Sequence, residues 1–370
     1  MTAGSYDSYE CPPQQECGGK KAGVAVLVSF SESSGYAYTE AERTIPHRVP
    51  YIQSLPMLLT EPGRSSVFLH PLQEPVIRVL AYYDIFRYPL TAEEIFTFLP
   101  VDGIDELELE RALHDFALDG MLGGARGYYF LPHRSAEVVD RRLAMEARGE
   151  TMWRRAQMIG GMMSRVPFVR GVFISGQLCR YLAEEGSDID YFIVTDPGRL
   201  WIVRSLFVLL RRTLLFNNRK YLCTNYFVTT ANLAIRERNQ YVACEVASLK
   251  PIVNRELFEE FIRRNGWIGE FYPNYTVERM DIRPGVDQRS RLQSILESII
   301  PARLARRLDR RLMETTAAFW RRKFPDRSAE NYDRSLRTRP DESRAHANDQ
   351  SPIVLEALQK TLRQYRVQND

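Results

Sequence analysis

Two aspartates separated by a single residue, in Gly186-Ser187-Asp188-Ile189-Asp190-Tyr191-Phe192-Ile193-Val194, are the residues of this chain best suited to carry chemistry. The apolar run after them predicts a strand, and successive side chains of a strand point to opposite faces, so Asp188 and Asp190 are expected on one face. Their Cα atoms would then lie about 7 Å apart, a spacing from which two carboxylates can converge on divalent cations that also hold phosphate oxygens. Ions held this way polarise a phosphorus centre, activate an attacking oxygen and neutralise a departing pyrophosphate.

A second element precedes the pair. Val169 to Ile174 reads as a β-branched and aromatic strand ending at Ser175-Gly176, and Gln177 to Glu185 as a short helix. Strand, Ser-Gly turn and helix start together suit a triphosphate, because free N–H groups and a glycine let an anion approach the backbone. Ser175 and Gly176 therefore mark an expected phosphate site, to which Gln177 can donate a hydrogen bond. Arg219 and Lys220, just before the next strand at Tyr221 to Val228, join them as cations placed for phosphate. Arg199, Arg204, Arg211 and Arg212 are expected instead to be helix-surface arginines whose stems lie along the apolar surface.

Ser175-Gly176, a dozen residues, then Ser187-Asp188-Ile189-Asp190 and an apolar strand resembles the pattern of the polymerase-β-like nucleotidyltransferase superfamily. The resemblance covers about twenty residues, within a strand and helix order from Val169 to about Val228 that agrees with it. It implies Asp188 and Asp190 as catalytic metal ligands for Mg²⁺, with Mn²⁺ as the alternative ion, Ser175, Gly176 and Ser187 as the nucleotide-binding residues that line the triphosphate site, and an NTP as substrate. It also implies transfer of a nucleoside monophosphate to an acceptor hydroxyl, which the sequence does not choose among a small molecule, a protein and RNA.

The chain departs from the family in two places. Gln177 follows the glycine, and Arg180-Tyr181 stands where relatives carry a second glycine. No Asp or Glu occurs between Asp196 and Glu237, so the third carboxylate of active relatives is missing from its strand, where Asn225 offers an amide that cannot take a proton near neutral pH. Three alternatives follow: Glu237 or Glu245 reaches in from the next helix, two carboxylates suffice, or the protein is a catalytically degenerate nucleotide-binding scaffold.

The elements around this site divide the chain. Residues 1–65 are expected to be a poorly structured extension; Lys20-Lys21 before an apolar stretch is a weak likeness to a signal peptide, set against Asp7, Glu10 and Glu16. From Pro71 helical periodicity sets in: Glu74 to Tyr88 with Val76, Val79, Leu80 and Tyr83 on one stripe, a capping box at Thr91 and Glu94, and a third helix from Asp105 to Leu118 closed by Gly120. A hairpin follows, with Met121-Leu122 and Tyr128 to Leu131 as strands about a Gly-rich turn. This order, over 71–134, resembles a winged helix. Its third helix opens Asp105-Glu106-Leu107-Glu108-Leu109-Glu110, which phosphate would repel, so a structural or protein-contacting role is expected rather than DNA binding.

A connecting helix (135–165), a nucleotidyltransferase domain (166–275) and a basic helical region (287–325) come next. A polar linker (326–350) and a last amphipathic helix (352–366) close the sequence. The fold class expected is α+β. In the basic region Arg303, Arg306, Arg307, Arg310, Arg311, Arg321, Arg322 and Lys323 face only Asp309 and Glu314, which suits a polyanion such as RNA; the alternative is a solvated helix packed through Leu304, Leu308 and Leu312.

Composition narrows the class further. An apolar fraction of 44% with 26% charged residues describes globular protein, and a net charge of +3 leaves phosphate binding to local clusters. Cys11, Cys17, Cys179, Cys223 and Cys244 lack zinc-ligand spacing, which fits a reducing cytoplasm. The longest aliphatic run, Ser205 to Phe216, is broken by Arg211 and Arg212 and is too short to span a bilayer, so no membrane partner is expected.

Overall fold

The computed structural model describes residues 70–214, 216, 218, 220–285, 291–345 and 349–367. The N-terminal extension and Arg219 lie outside them. The first apolar stripe folds as α1 (Gln73–Asp84), with Val76, Val79, Leu80 and Tyr83 all buried. Strand β1 (Leu90–Thr91) runs into α2 (Ala92–Thr97), where the Thr91 hydroxyl accepts from the Glu94 amide and the Glu94 carboxylate accepts from the Thr91 amide; this capping box satisfies two donors that would otherwise be orphaned.

Helix α3 (Glu106–Leu118) ends before Gly120, whose φ of +72° turns the chain back. The hairpin is shifted from its expected place: β2 (Gly123–Ala125) pairs with β3 (Tyr128–Phe130), and β3 also pairs with β1. Gly123 enters the strand because the Phe130 ring lies where its Cβ would be, 2.1 Å away.

The long helix α4 (Glu137–Met163) joins this module to a five-stranded sheet in the order β7-β4-β5-β6-β8. Strands β4 (Val169–Ser175) and β5 (Asp190–Thr195) are antiparallel, with Ser175 opposite Asp190. Between them the expected helix shrinks to a single 3-10 turn, Gln177–Arg180, because Tyr181 adopts a left-handed φ of +56° and ends it. Helix α5 (Leu200–Leu214) returns to β6 (Cys223–Thr229), which pairs parallel with β5. Then come α6 (Gln240–Ser248), β7 (Lys250–Val253) beside β4, α7 (Arg255–Arg264), α8 (Arg291–Ile299), α9 (Ala302–Lys323) and α10 (Ala329–Ser335). Strand β8 (Glu342–Arg344) and α11 (Ser351–Gln364) complete the described chain. The architecture is α+β, and among the described residues no helix is long and apolar enough to cross a membrane.

Each face of the large sheet carries a core. Phe173, Phe192 and Val194 pack with α6, α7 and α11 in one apolar cluster that continues into α1–α3, so the N-terminal module and the sheet share it. Val172, Ile174, Tyr191, Ile193 and Phe227 pack on the other face against Trp153 of α4 and Trp201 and Phe207 of α5.

Three sequence expectations are corrected here. The segment 326–350 is no linker, because it supplies α10 and β8, and β8 hydrogen-bonds to β6. Its buried Glu342 is paired, accepting from Arg337 and from the Tyr226 hydroxyl. Arg204 and Arg211 are buried rather than on the surface, Arg204 lying over the Trp201, Phe227 and Trp320 rings. Helix α9 packs through Ala305, Asp309 and Trp320, with Asp309 capping the start of α5 at the Trp201 and Ile202 amides; of the three expected leucines Leu312 packs against the sheet core, whereas Leu304 and Leu308 face solvent.

Arg142 fastens α4 to the first module. It donates to both Glu94 oxygens, to Glu146 and to the Pro89 carbonyl, between the Tyr88 and Tyr128 rings at 4.3 and 4.6 Å. Arg142→Ala leaves Glu94 and a buried carbonyl short of donors and is expected to cost roughly 2–3 kcal/mol of unfolding free energy. Urea denaturation measures this; a loss below about 1 kcal/mol would show the clasp to be dispensable.

Candidate functional site

One end of the five-stranded sheet collects the residues singled out by chemistry. Read across the sheet, that end presents Lys250 at the start of β7, Ser175 at the end of β4, Asp190 at the start of β5, Asn225 near the start of β6 and Arg344 at the end of β8. The alternation of antiparallel and parallel neighbours brings these chain positions together, although they are separated by up to 169 residues in sequence.

Asp190 is the centre. One carboxylate oxygen accepts from the Asn225 side-chain amide at 3.0 Å, and the other faces Gly176 so closely that a Cβ there would lie 2.7 Å from it. Gly176 has a φ of +66° and ψ of −153°, a region essentially reserved for glycine. The Ser175 hydroxyl donates to the Asp190 carbonyl at 3.4 Å. Burial pushes the Asp190 carboxyl up to about 7, with repulsion from Asp188 and Glu245 adding to it and hydrogen bonds from Cys223 and Asn225 opposing it. The Cys223 thiol is in turn held well above its ordinary range by burial and by the two aspartates.

Asp188, expected within the strand, lies two residues before the start of β5, and Ile189 between the aspartates is fully buried. The strand pairing begins at Ile189, whose amide donates to the Lys220 carbonyl. Lys220 thus adjoins the pair through its backbone, while its ammonium lies over the Tyr221 ring at 5.7 Å. Ser187 and Gln177 meet each other: the serine hydroxyl donates to the Gln177 side-chain oxygen Oε1 at 3.3 Å and accepts from the Glu184 backbone amide at 2.8 Å. The loop from 176 to 188 is closed by these bonds, and the short 3-10 turn does not supply the row of free amides that a helix start would offer.

The two candidates for a third carboxylate separate. Glu237 lies before α6 and is held by Arg337, whose guanidinium keeps its carboxyl below the ordinary range despite burial. Glu245, on α6, is close enough to Asp190 to raise it, and burial raises Glu245 itself against the pull of Arg180 and Arg344. Arg180 follows the Gly176 turn and donates to Cys244 Sγ at 3.1 Å and Ser248 Oγ at 3.0 Å, both on α6, below the Tyr83 ring. Arg180 and Arg344 are site residues that sequence reasoning missed. Arg344 sits in Glu-Ser-Arg, a strand with no apolar alternation to announce it.

Among the described residues no three Asp, Glu, His or Cys side chains converge closely enough to form a metal cage. Two carboxylates, as Asp188 and Asp190 offer, are a donor set that Mg²⁺ commonly takes together with substrate phosphates and water. The chain matches no protein-family model, no curated protein and no solved structure.

Proposed function

We propose that the chain is a nucleotidyltransferase that moves a nucleoside monophosphate from an NTP to an acceptor hydroxyl. The observation that carries this reading is the contact between Gly176 and the Asp190 carboxylate, with Ser175 opposite Asp190 across β4 and β5 and Asp188 beside them. A glycine turn and an acidic pair in contact serve the two needs of NTP chemistry, close approach of phosphate to the backbone and a divalent ion beside it. The fold proposed around it is a polymerase-β-like domain (small mixed sheet with flanking helices) at 166–275, preceded by a winged helix at 71–134 whose acidic α3 suits protein contact.

Asp188 and Asp190 would hold Mg²⁺, which when bound neutralises charge on the phosphates. The chain's own residues do the rest. Gly176 admits the triphosphate to the backbone, and Asn225 orients Asp190 by its 3.0 Å hydrogen bond. Glu245 takes the proton of the acceptor hydroxyl as the acceptor oxygen bonds to the α-phosphorus and pyrophosphate departs, its raised pKa making it the better base near neutral pH.

Asn225 favours the second reading, a nucleotide-binding scaffold without turnover, because an amide stands on the strand where the resemblance implies a carboxylate. Binding of labelled NTP with Mg²⁺ and with EDTA tests what both readings share. Metal-dependent binding weakened at least about tenfold by Asp188→Ala is expected; binding unaffected by EDTA and by the substitution would sink both.

A further inference from the structure

Arg344 is 8% exposed at the acceptor side of Asp190, yet its Nε has no hydrogen-bond partner among the described residues, and its nearest ion-pair oxygen, on Asp349, is 3.7 Å away. A buried guanidinium with an unused donor is costly unless something else satisfies it. Its side of the sheet is fixed by register: Arg344 stands opposite Tyr226, Tyr226 opposite Phe192, and Phe192 shares a face with Asp190 two residues earlier. Helix α6, with Glu245, packs on that same face. Arg180, bonded to α6, likewise has a buried Nε without a hydrogen-bond partner among the described residues. Both guanidinium groups act on Glu245.

We propose that Arg344 forms a binding site for an oxyanion, phosphate or carboxylate, carried by the acceptor. The assignment to the acceptor rests on the nucleotidyltransferase reading. The Gly176 turn lies on the β4 side of Asp190 and would take the triphosphate, whereas Arg344 lies on the β6–β8 side, where the attacking hydroxyl must enter for in-line displacement. The planar fork of arginine matches two oxygens of either anion. The acceptor is accordingly an anionic molecule whose hydroxyl lies within reach of its phosphate or carboxylate.

Thermal unfolding of the full chain tests this, with inorganic phosphate and acetate added separately at matched ionic strength in the presence of Mg²⁺ and a non-hydrolysable NTP. Saturating anion is expected to raise Tm of the wild type by about 3 °C. Arg344→Gln abolishes the rise and Arg344→Lys, which keeps the charge and loses the fork, reduces it. A rise with phosphate assigns a phosphorylated acceptor, and one with acetate a carboxylate. No rise with either anion, or an equal rise in Arg344→Gln, overturns the site; if that variant fails to fold, an undiminished rise in Arg344→Lys does so.

Labelled-NTP binding, run alongside, separates the two ideas. Retained NTP binding in Arg344→Gln supports the acceptor assignment, and its loss would give Arg344 to the triphosphate instead. Anion protection without any NTP binding by the wild type would leave the oxyanion site standing and remove the nucleotidyltransferase reading.

Discussion

Gly176→Ala is expected to abolish NTP binding and to destabilise the fold by about 2–4 kcal/mol. Two independent costs add at this position. The φ of +66° with ψ near −153° is strained for any residue with a Cβ, and the added carbon would stand 2.7 Å from Asp190 Oδ2 and 3.5 Å from its Cγ. Asp190 cannot swing away cheaply, because its other oxygen is held by Asn225 and its backbone is paired on both sides, to Ser175 and to Cys223. Relief must therefore come from shifting the turn, which moves the phosphate cradle from the acidic pair. Urea denaturation and labelled-NTP binding measure the two effects; an alanine variant that folds and binds as the wild type does would show that the Gly176–Asp190 contact is incidental.

Asp190→Asn should stabilise the protein while removing its activity. The Asp190 carboxyl sits near 7 in the folded protein against about 3.9 in an unfolded chain. The folded state therefore binds the extra proton between those values. Stability from this group is fully present below pH 4 and is lost as pH rises through 7, where folding must bury a charge beside Asp188. With EDTA present, the asparagine variant should gain on the order of 1–3 kcal/mol over wild type at pH 8, discounted for partial exposure, and little at pH 4. Denaturant midpoints across that range read the difference. Parallel curves for the two proteins would mean that Asp190 is ionised throughout and not strained by its neighbours.

Local chemistry was legible where it is carried by neighbours in sequence. Thr91 and Glu94 announced their capping box, the Val76 to Tyr83 stripe its helix, and Val169 to Ile174 and Tyr191 to Val194 the two strands. Features that depend on tertiary pairing were not. The helix expected after Gly176 ends at Tyr181 because that ring packs edge-on against Trp153 of α4, at 4.7 Å, and its hydroxyl donates to the Asp281 carbonyl. Strand β8 is invisible in a run of charged residues until Arg337, Glu342 and Tyr226 are seen to satisfy one another. Leu304 and Leu308 of α9 share helical spacing with Leu312, yet only Leu312 packs inward, because the buried face is set by Asp309 capping α5 and by Trp320. Propensity cannot register such a contact. Glu237 and Glu245 looked equivalent for the same reason, until Arg337 claimed the first.

The central claim is most directly tested by incubating the full chain with α-labelled ATP, GTP, CTP and UTP and Mg²⁺ or Mn²⁺ in a cell extract that supplies acceptors, beside an Asp188→Ala/Asp190→Ala variant. Transfer of label to an acceptor, lower by about a thousandfold or more in the double variant, is the predicted result. Absence of transfer from all four nucleotides, or transfer that the double variant retains, would contradict it.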